Sequence, residues 1–336
     1  MKIFDEIGVF DNEKRFLIDY ANIKQKLLPN QNDFLDEKEL LNYFANLSKG
    51  FPLVLPLGLK CFDYKNIKKI FKIEKKDVFK NIYGLNNFKY KPAKRFLSFG
   101  NWFCVGAKPK KKYSHLIKFM INYNQRLKKY VRKLKGQNKI IASFQTRNIP
   151  HLGHEEIIKQ LLNKCDHVVI NPVIGPKKEG DINYNQLYKI YKYLINKRYK
   201  GKVSYFPVIA NMFYAGPREA MHHSIIRQSL GFDMFNIGRD HAGAESAYNP
   251  NLSIKTALRF RKKFKISLSI SNGAYFCKVC KKVVIKGSCK HHIKSFNLKN
   301  ISGTDFRKKM SRKIFFKFAS KDIQIFIHKL GKNIFV

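Results

Sequence analysis

From residue 139 onward the chain reads as short apolar blocks alternating with helix-spaced segments. Ile140-Ile141-Ala142-Ser143-Phe144 predicts a buried strand and Glu155–Asn163 a helix. A strand at His167–Pro172, a helix at about Gln186–Asn196 and a strand at Lys202–Ile209 follow. A helix at Pro217–Leu230 then leads to a strand at Met234–Gly238. Such alternation predicts right-handed crossovers and a parallel sheet. Ligands in such sheets sit beyond the carboxyl ends of the strands. Upstream, Phe51–Gly58, Ile82-Tyr83-Gly84 and Phe96 to Val105-Gly106 are short apolar segments broken by turn residues, after a helix at Glu37–Ala45. They predict a small β-rich unit. Lys108-Pro109-Lys110-Lys111-Lys112 reads as a solvated hinge. In His115–Lys135, Leu116, Phe119, Met120, Tyr123, Leu127, Val131 and Leu134 fall at helical spacing, which predicts a linking helix. The expected divisions are residues 1–115, β-rich; 116–138, linking helix; 139–300, α/β, with a cysteine-rich knuckle at 277–292; and 301–336, a short helical piece.

Composition changes this picture in one respect. The 336 residues carry 67 Lys plus Arg against 23 Asp plus Glu, a net charge of +44. A surface that basic attracts phosphates through counterion release. Yet only 13 of the cations are Arg, and they are spread along the whole chain. Readers of nucleic acid lean on Arg for bidentate contacts. The Lys excess therefore reads as background, and nucleic acid is not the expected partner. The apolar run near Phe51–Leu59 is too short and proline-broken to span a bilayer. The acidic pair Asp5-Glu6 stands where an export signal needs apolar residues, and six cysteines in a chain this long are no disulfide framework. The expectation is a cytoplasmic protein without a membrane segment.

The chemistry gathers after two predicted strands. Gln145-Thr146-Arg147-Asn148-Ile149-Pro150-His151-Leu152-Gly153-His154 runs from strand into helix. A helix start offers free N–H groups and partial positive charge to phosphate. His151 and His154 stand one turn apart, and Gly153 is read as allowing close approach of a ligand to the backbone. The plain alternative is that both histidines only cap the helix. Gly238-Arg239-Asp240-His241-Ala242-Gly243 follows the later strand, with Arg and His suited to phosphates; alone it could be a turn with an internal ion pair. Tyr214-Ala215-Gly216-Pro217-Arg218-Glu219-Ala220-Met221-His222-His223 opens a helix with Pro217 at its first position and Arg218 near its positive end. The clusters at 145–154 and 238–243 should meet on one rim.

Together these stretches resemble the ATP sulfurylase (sulfate adenylyltransferase) family, as do Asn171–Gly175, Lys178–Ile182 and the Ile-Ser-Gly-Thr run Ile301–Thr304. The likeness is continuous from about 139 to 307 and weaker at 80–107. It implies a Rossmann-like nucleotidyltransferase domain of the H-x-G-H superfamily, a PUA-like N-terminal domain and a short helical C-terminal piece. By similarity Thr146, Arg147, Asn148, His151 and His154 are catalytic, with Arg147 the main sulfate cation. Gln145, Arg147, Asn148, Gly238, Arg239, Asp240, His241 and the backbone of Ala242 bind ATP and sulfate. The implied reaction is ATP plus sulfate giving adenosine 5′-phosphosulfate plus diphosphate, with Mg²⁺ travelling with ATP or diphosphate and a homo-oligomer as the assembly. One departure is Lys265–Asn272, where the family presents apolar residues to adenine and this chain has Lys-Ile-Ser-Leu-Ser-Ile-Ser-Asn. No G-x-x-x-x-G-K-[ST] loop occurs, so no phosphosulfate kinase is fused within these residues.

Cys277-Lys278-Val279-Cys280, followed by Cys289-Lys290-His291-His292, has zinc-ligand spacing. With few acids nearby, it reads as a structural zinc knuckle. The ligands would be Cys277, Cys280, Cys289 and His292, with His291 the alternative fourth. Two other functions would use some of the same residues. A class I aminoacyl-tRNA synthetase would use His151–His154 and Lys309-Met310-Ser311-Arg312-Lys313, but leaves Gln145–Asn148, Gly216–Ala220 and Gly238–Gly243 without a purpose. A degenerate relative that only binds polyanions would not need every phosphate-handling residue.

Overall fold

The computed structural model describes residues 12–29, 31–39, 57–59, 64–85, 100–176, 181–241, 247–293, 297–301 and 303–331, with a few isolated positions besides. Most of the predicted Phe51–Gly58 segment, residues 40–45 of the first predicted helix and residues 96–99 lie outside the described residues. The N-terminal part comprises helix α1 (Asn12–Lys24), strands β1 (Leu57–Gly58), β2 (Tyr64–Lys65) and β3 (Lys69–Lys72), helix α2 (Lys75–Tyr83), and strands β4 (Trp102–Val105) and β5 (Lys108–Pro109). β4 pairs antiparallel with both β1 and β3, and β2 pairs with β5. Two expectations fail here. Ile82-Tyr83-Gly84 ends a helix, because Gly84 takes φ 64° and caps α2 through its N–H to the carbonyl of Lys80. Lys108-Pro109 is a paired strand instead of a hinge.

Helix α3 (Ser114–Lys135) buries Leu116, Met120, Leu127, Val131 and Leu134 on one face, against α1. Asn124 sits on that same apolar face, 1% exposed. Its amide donates to the Ile209 carbonyl at 2.9 Å and accepts the Ile209 N–H at 2.9 Å. A buried amide there is tolerated because it satisfies strand backbone groups that would otherwise lack partners. One apolar cluster runs from Phe16, Phe79 and Tyr83 through α3 to Phe213, Tyr214 and Phe235, so the core does not divide at residue 115.

Beyond α3 come β6 (Ile141–Phe144), α4 (Leu152–Leu162), β7 (His167–Ile170), β8 (Val173–Ile174), α5 (Tyr184–Arg198), β9 (Val203–Tyr205), β10 (Val208–Ile209), α6 (Pro217–Leu230) and β11 (Met234–Gly238). Helix α7 (Leu252–Phe260) and strand β12 (Ser267–Ser271) follow. Five strands form one parallel sheet in the order β12-β11-β6-β7-β9. Its first strand, β6, is central: the chain builds outward to β7 and β9, then crosses back to β11 and β12. Both faces are covered, as in parallel sheets generally. Val168 and Ile170 point into one apolar cluster and Val169 into the other, by the two-residue period of a strand. The predicted strand 202–209 is two strands, since Phe206-Pro207 interrupts the ladder and β10 pairs instead with β8.

The chain ends in strands β13 (Ala274–Cys277), β14 (Lys282–Ile285) and β15 (Leu298–Asn300) and helices α8 (Gly303–Ser311) and α9 (Lys321–Lys329). β13 is the middle strand of this small antiparallel sheet. No helix of the described residues is long and apolar enough to cross a membrane.

Candidate active site

The strand order reverses between β6 and β11, and a crevice opens beyond their carboxyl ends, where such sheets bind ligands. A cavity of about 350 Å³ lies there. Gln145, Thr146, Arg147, Asn148, His151 and His154 line it from the β6 side, and Gly238, Arg239, Asp240 and His241 from the β11 side. The two clusters therefore meet as expected. Ala242 lies outside the described residues.

His151 is the N-cap of α4. Its Nδ1 accepts the Gly153 N–H at 3.1 Å, while His154 Nδ1 accepts the His151 N–H at 3.2 Å. The histidines do cap the helix, and the capping defines their chemistry. A neutral imidazole that accepts through Nδ1 carries its proton on Nε2. Burial holds both rings neutral, pushing His151 down to about 4 and His154 well below its usual value, the latter helped by its neighbour. His154 Nε2 lies 3.4 Å from the Thr146 hydroxyl, which also accepts the Asn148 N–H at 3.2 Å. Gly153 has a different purpose from the expected one. A Cβ there would come within 2.5 Å of Ala274 Cβ and 2.8 Å of the His151 ring, so the glycine lets α4 lie on β13.

The Arg147 guanidinium pairs with Asp181, which is 2% exposed and also accepts the Tyr214 hydroxyl at 3.3 Å. Gln145 turns its Nε2 toward Met212 sulfur, and its buried Oε1 finds no hydrogen-bond partner among the described residues. On the other rim, Asp240 takes φ 51°, a conformation Asp tolerates better than most residues. Arg239 lies over the Tyr275 ring at 5.5 Å and donates to Asn300 at 3.0 Å. Burial pushes His241 well below its usual value, and the neighbouring His223 adds to this.

Several lining residues were not legible in the sequence. Arg307, on α8, donates to the Asn148 side chain and, at 3.2 Å, to the Thr304 hydroxyl. Its spacing of three from Thr304 on a helix was the available signal. Asn236, Ser271 and Asn300 also line the cavity. The altered 265–272 stretch contains β12, the sheet's edge strand beside β11; its Ser271 hydroxyl donates to Asn236 at 2.8 Å. Arg218 is absent from the lining. A Cβ on Gly84 would lie 2.0 Å from Arg218 Nη1, so this guanidinium packs over the end of α2. Met310 of the Lys-Met-Ser string is buried in the core, and Lys309 and Arg312 line a separate groove.

The ATP-sulfurylase family model matches residues 122–316, more than half of the chain and all of this crevice. The chain belongs to the ATP-sulfurylase family. Among similar curated proteins are the sulfate adenylyltransferases of Ignicoccus hospitalis (39% identical over 171 residues, 51% of this chain and 44% of that one) and Pyrococcus abyssi (39% over 181 residues, 54% and 47%). The sulfate adenylyltransferase of Thermococcus onnurineus is 40% identical over 177 residues, 52% and 46% of the two chains. The match thus spans less than half the length of these relatives. A solved structure titled hexameric APS kinase from Thiobacillus denitrificans superposes on 97% of this chain and 63% of its own at TM-score 0.61, with 11% identity, a likeness of fold alone.

Behind α4, the β13–β14 turn and the segment after it bring Cys277, Cys280, Cys289 and His291 together, with one ligand atom of each within 4.8 Å of the others. Cys280 Sγ is 3.1 Å and Cys277 Sγ 3.7 Å from His291 Nδ1. Three sulfurs and one imidazole at these spacings fit a tetrahedral ion such as zinc. The histidine in this set is His291. Spacing favours His292, but the short helical turn at Lys290–Ile293 presents its neighbour; the His292 side chain lies outside the described residues.

Proposed function

We propose that this chain is a sulfate adenylyltransferase, joining ATP and sulfate to give adenosine 5′-phosphosulfate and diphosphate, and able to run in reverse. The observation that carries this reading is the meeting of the 145–154 loop and the 238–241 turn at the reversal point of the parallel sheet. There they line one cavity with Arg147, Arg239, Arg307, His151 and His154.

The chemistry asks for what these residues offer. Sulfate carries no proton at neutral pH, so its attack on the α-phosphorus needs no general base. The difficulty is to bring two anions into line and to stabilise charge on the departing diphosphate, which is positioning and preorganised electrostatics. In this reading Arg147, oriented by Asp181, holds sulfate. The Nε2–H groups of His151 and His154 donate to phosphate oxygens, with no charge to be quenched beforehand. Thr146 and Asn148 keep the loop in register, and Arg307 braces Asn148 from α8. Arg239, Asp240, Gly238 and the backbone of Ala242 hold the nucleotide, with Gln145 completing the site. Mg²⁺ arrives with ATP or diphosphate. Cys277, Cys280, Cys289 and His291 would hold a structural zinc, which would clamp β13, the strand on which Gly153 rests. The N-terminal small sheets stand for the PUA-like domain, residues 139–300 for the catalytic domain and 301–336 for the C-terminal piece; a cytoplasmic homo-oligomer is the expected assembly.

The test is turnover by the purified, zinc-loaded chain in both directions, with Mg²⁺ present. Formation of ATP from adenosine 5′-phosphosulfate and diphosphate is the expected result. No turnover either way by correctly folded protein would refute the assignment.

A further inference from the structure

Beneath the turn that follows β11, three buried side chains stand in line. Glu219, fully buried, accepts the Phe213 N–H at 3.0 Å on each oxygen and the Ala215 N–H at 2.9 Å. Burial pushes this carboxyl up, while the two backbone donors favour its charged form. Glu219 Oε1 lies 3.1 Å from His223 Nε2. The contact is too skewed for a full hydrogen bond, yet at this distance the carboxylate strongly prefers a protonated Nε2 to a lone pair. His223 Nδ1 in turn lies 3.1 Å from His241 Nε2. His241 is 6% exposed and on the cavity wall.

A neutral imidazole has one proton and one lone pair. If His223 keeps its proton on Nε2, its Nδ1 is an acceptor, and His241 must donate to it through Nε2. Nδ1 of His241 is then bare. Phosphate oxygens are acceptors too and gain nothing from such a nitrogen; a hydroxyl or amino group does. We infer that Glu219 and His223 are positioning residues that set the tautomer of His241, so that His241 reads a hydroxyl or amino group of the nucleoside and not a phosphate. The inference rests on the reading of the cavity as an ATP site. It revises the expectation that the histidine of this turn handles phosphate.

Two measurements on the full chain separate the possibilities. Nitrogen NMR of ¹⁵N-histidine-labelled, ligand-free protein should show His241 protonated on Nε2 and bare on Nδ1. In Glu219→Gln the Nδ1–H form of His241 should appear. A wild-type His241 protonated on Nδ1 overturns the inference whatever the activity, and an unchanged tautomer in Glu219→Gln overturns the positioning role. Equilibrium binding of ATP gives the second arm. His241→Leu should weaken it about tenfold, the loss of one hydrogen bond. His241→Asn, whose side-chain oxygen can replace Nδ1, should recover most of that loss, and the sulfate KM should not move in either variant. Equal loss in Asn and Leu variants overturns the acceptor role. If wild-type protein of the expected tautomer binds no ATP, the reading of the cavity falls while the tautomer assignment stands.

Discussion

Two histidine pairs flank the crevice, the second reaching its wall through His241 alone, and they are held by opposite means. His151 and His154 sit at the start of α4, where backbone N–H groups occupy Nδ1 of each ring. His223 and His241 sit under the turn after β11, where a buried carboxylate stands at the end of the line. Burial keeps all four rings neutral at physiological pH. A donor at Nδ1 leaves Nε2–H for the cavity; a chain ending in a carboxylate leaves a lone pair. The same residue type, equally desolvated, thus presents opposite polarity on the two rims. For an imidazole, burial decides the charge, and the partner on the far nitrogen decides which ligand group it can meet.

The sharpest way to break this comparison is His154→Asn. Asparagine can still accept the His151 N–H, so the cap and the fold should survive. The Nε2–H is lost, and kcat should fall about 10²- to 10³-fold, the usual effect of removing one preorganised donor. Steady-state rates with unchanged thermal stability would bear this out; a near-normal kcat would mean that capping is the residue's whole role.

Next in size is a pH effect on stability. His151 is held at about 4 in the folded chain, against an ordinary value of 6.5. As pH falls through 6.5 the unfolded chain takes up a proton there and the folded chain does not, so stability declines. In His151→Asn, with a good N-cap residue in place, this contribution is absent. The advantage of wild type over variant should shrink by about 2 kcal/mol between pH 7.5 and pH 5. Denaturant unfolding at the two pH values measures it, and a difference that stays constant would show that His151 is not held neutral.

The smallest expected effect is that of Gly153→Ala. The new Cβ meets Ala274 and the His151 ring, and overpacking of this kind costs about 1–3 kcal/mol. Better helix propensity offsets about 1 kcal/mol of that, leaving a net loss of about 1 kcal/mol. Only the capped pair is disturbed, so kcat should fall while ATP affinity holds. Parallel loss of both would show that the two rims are not independent.

How much was legible beforehand follows from the range of the interactions. Met234–Gly238 and Pro217–Leu230 were placed to the residue because local signals bound them: a dense apolar run, and proline at one end with glycine at the other. Ser267–Ser271 carries alternating serines and no dense apolar run, so the edge strand there is not legible locally, although its last residue, Ser271, does line the cavity. Gly153 reads locally as a point of ligand approach, yet its neighbour is Ala274, over a hundred residues away in sequence. Arg218 looked like a site cation at a helix start, yet its partner surface is the far end of α2.

The sequence by itself determined the residue types at the two strand ends and the alternation that makes a parallel sheet, because both are carried by neighbours in the chain. Only the tertiary structure decided which nitrogen of each histidine is free, that Arg307 reaches Asn148, that Asp181 holds Arg147 and that His291 joins the three cysteines. Each of these depends on a contact between segments brought together by folding. Hydrogen-bond polarity is a property of such contacts, and no single residue carries it alone.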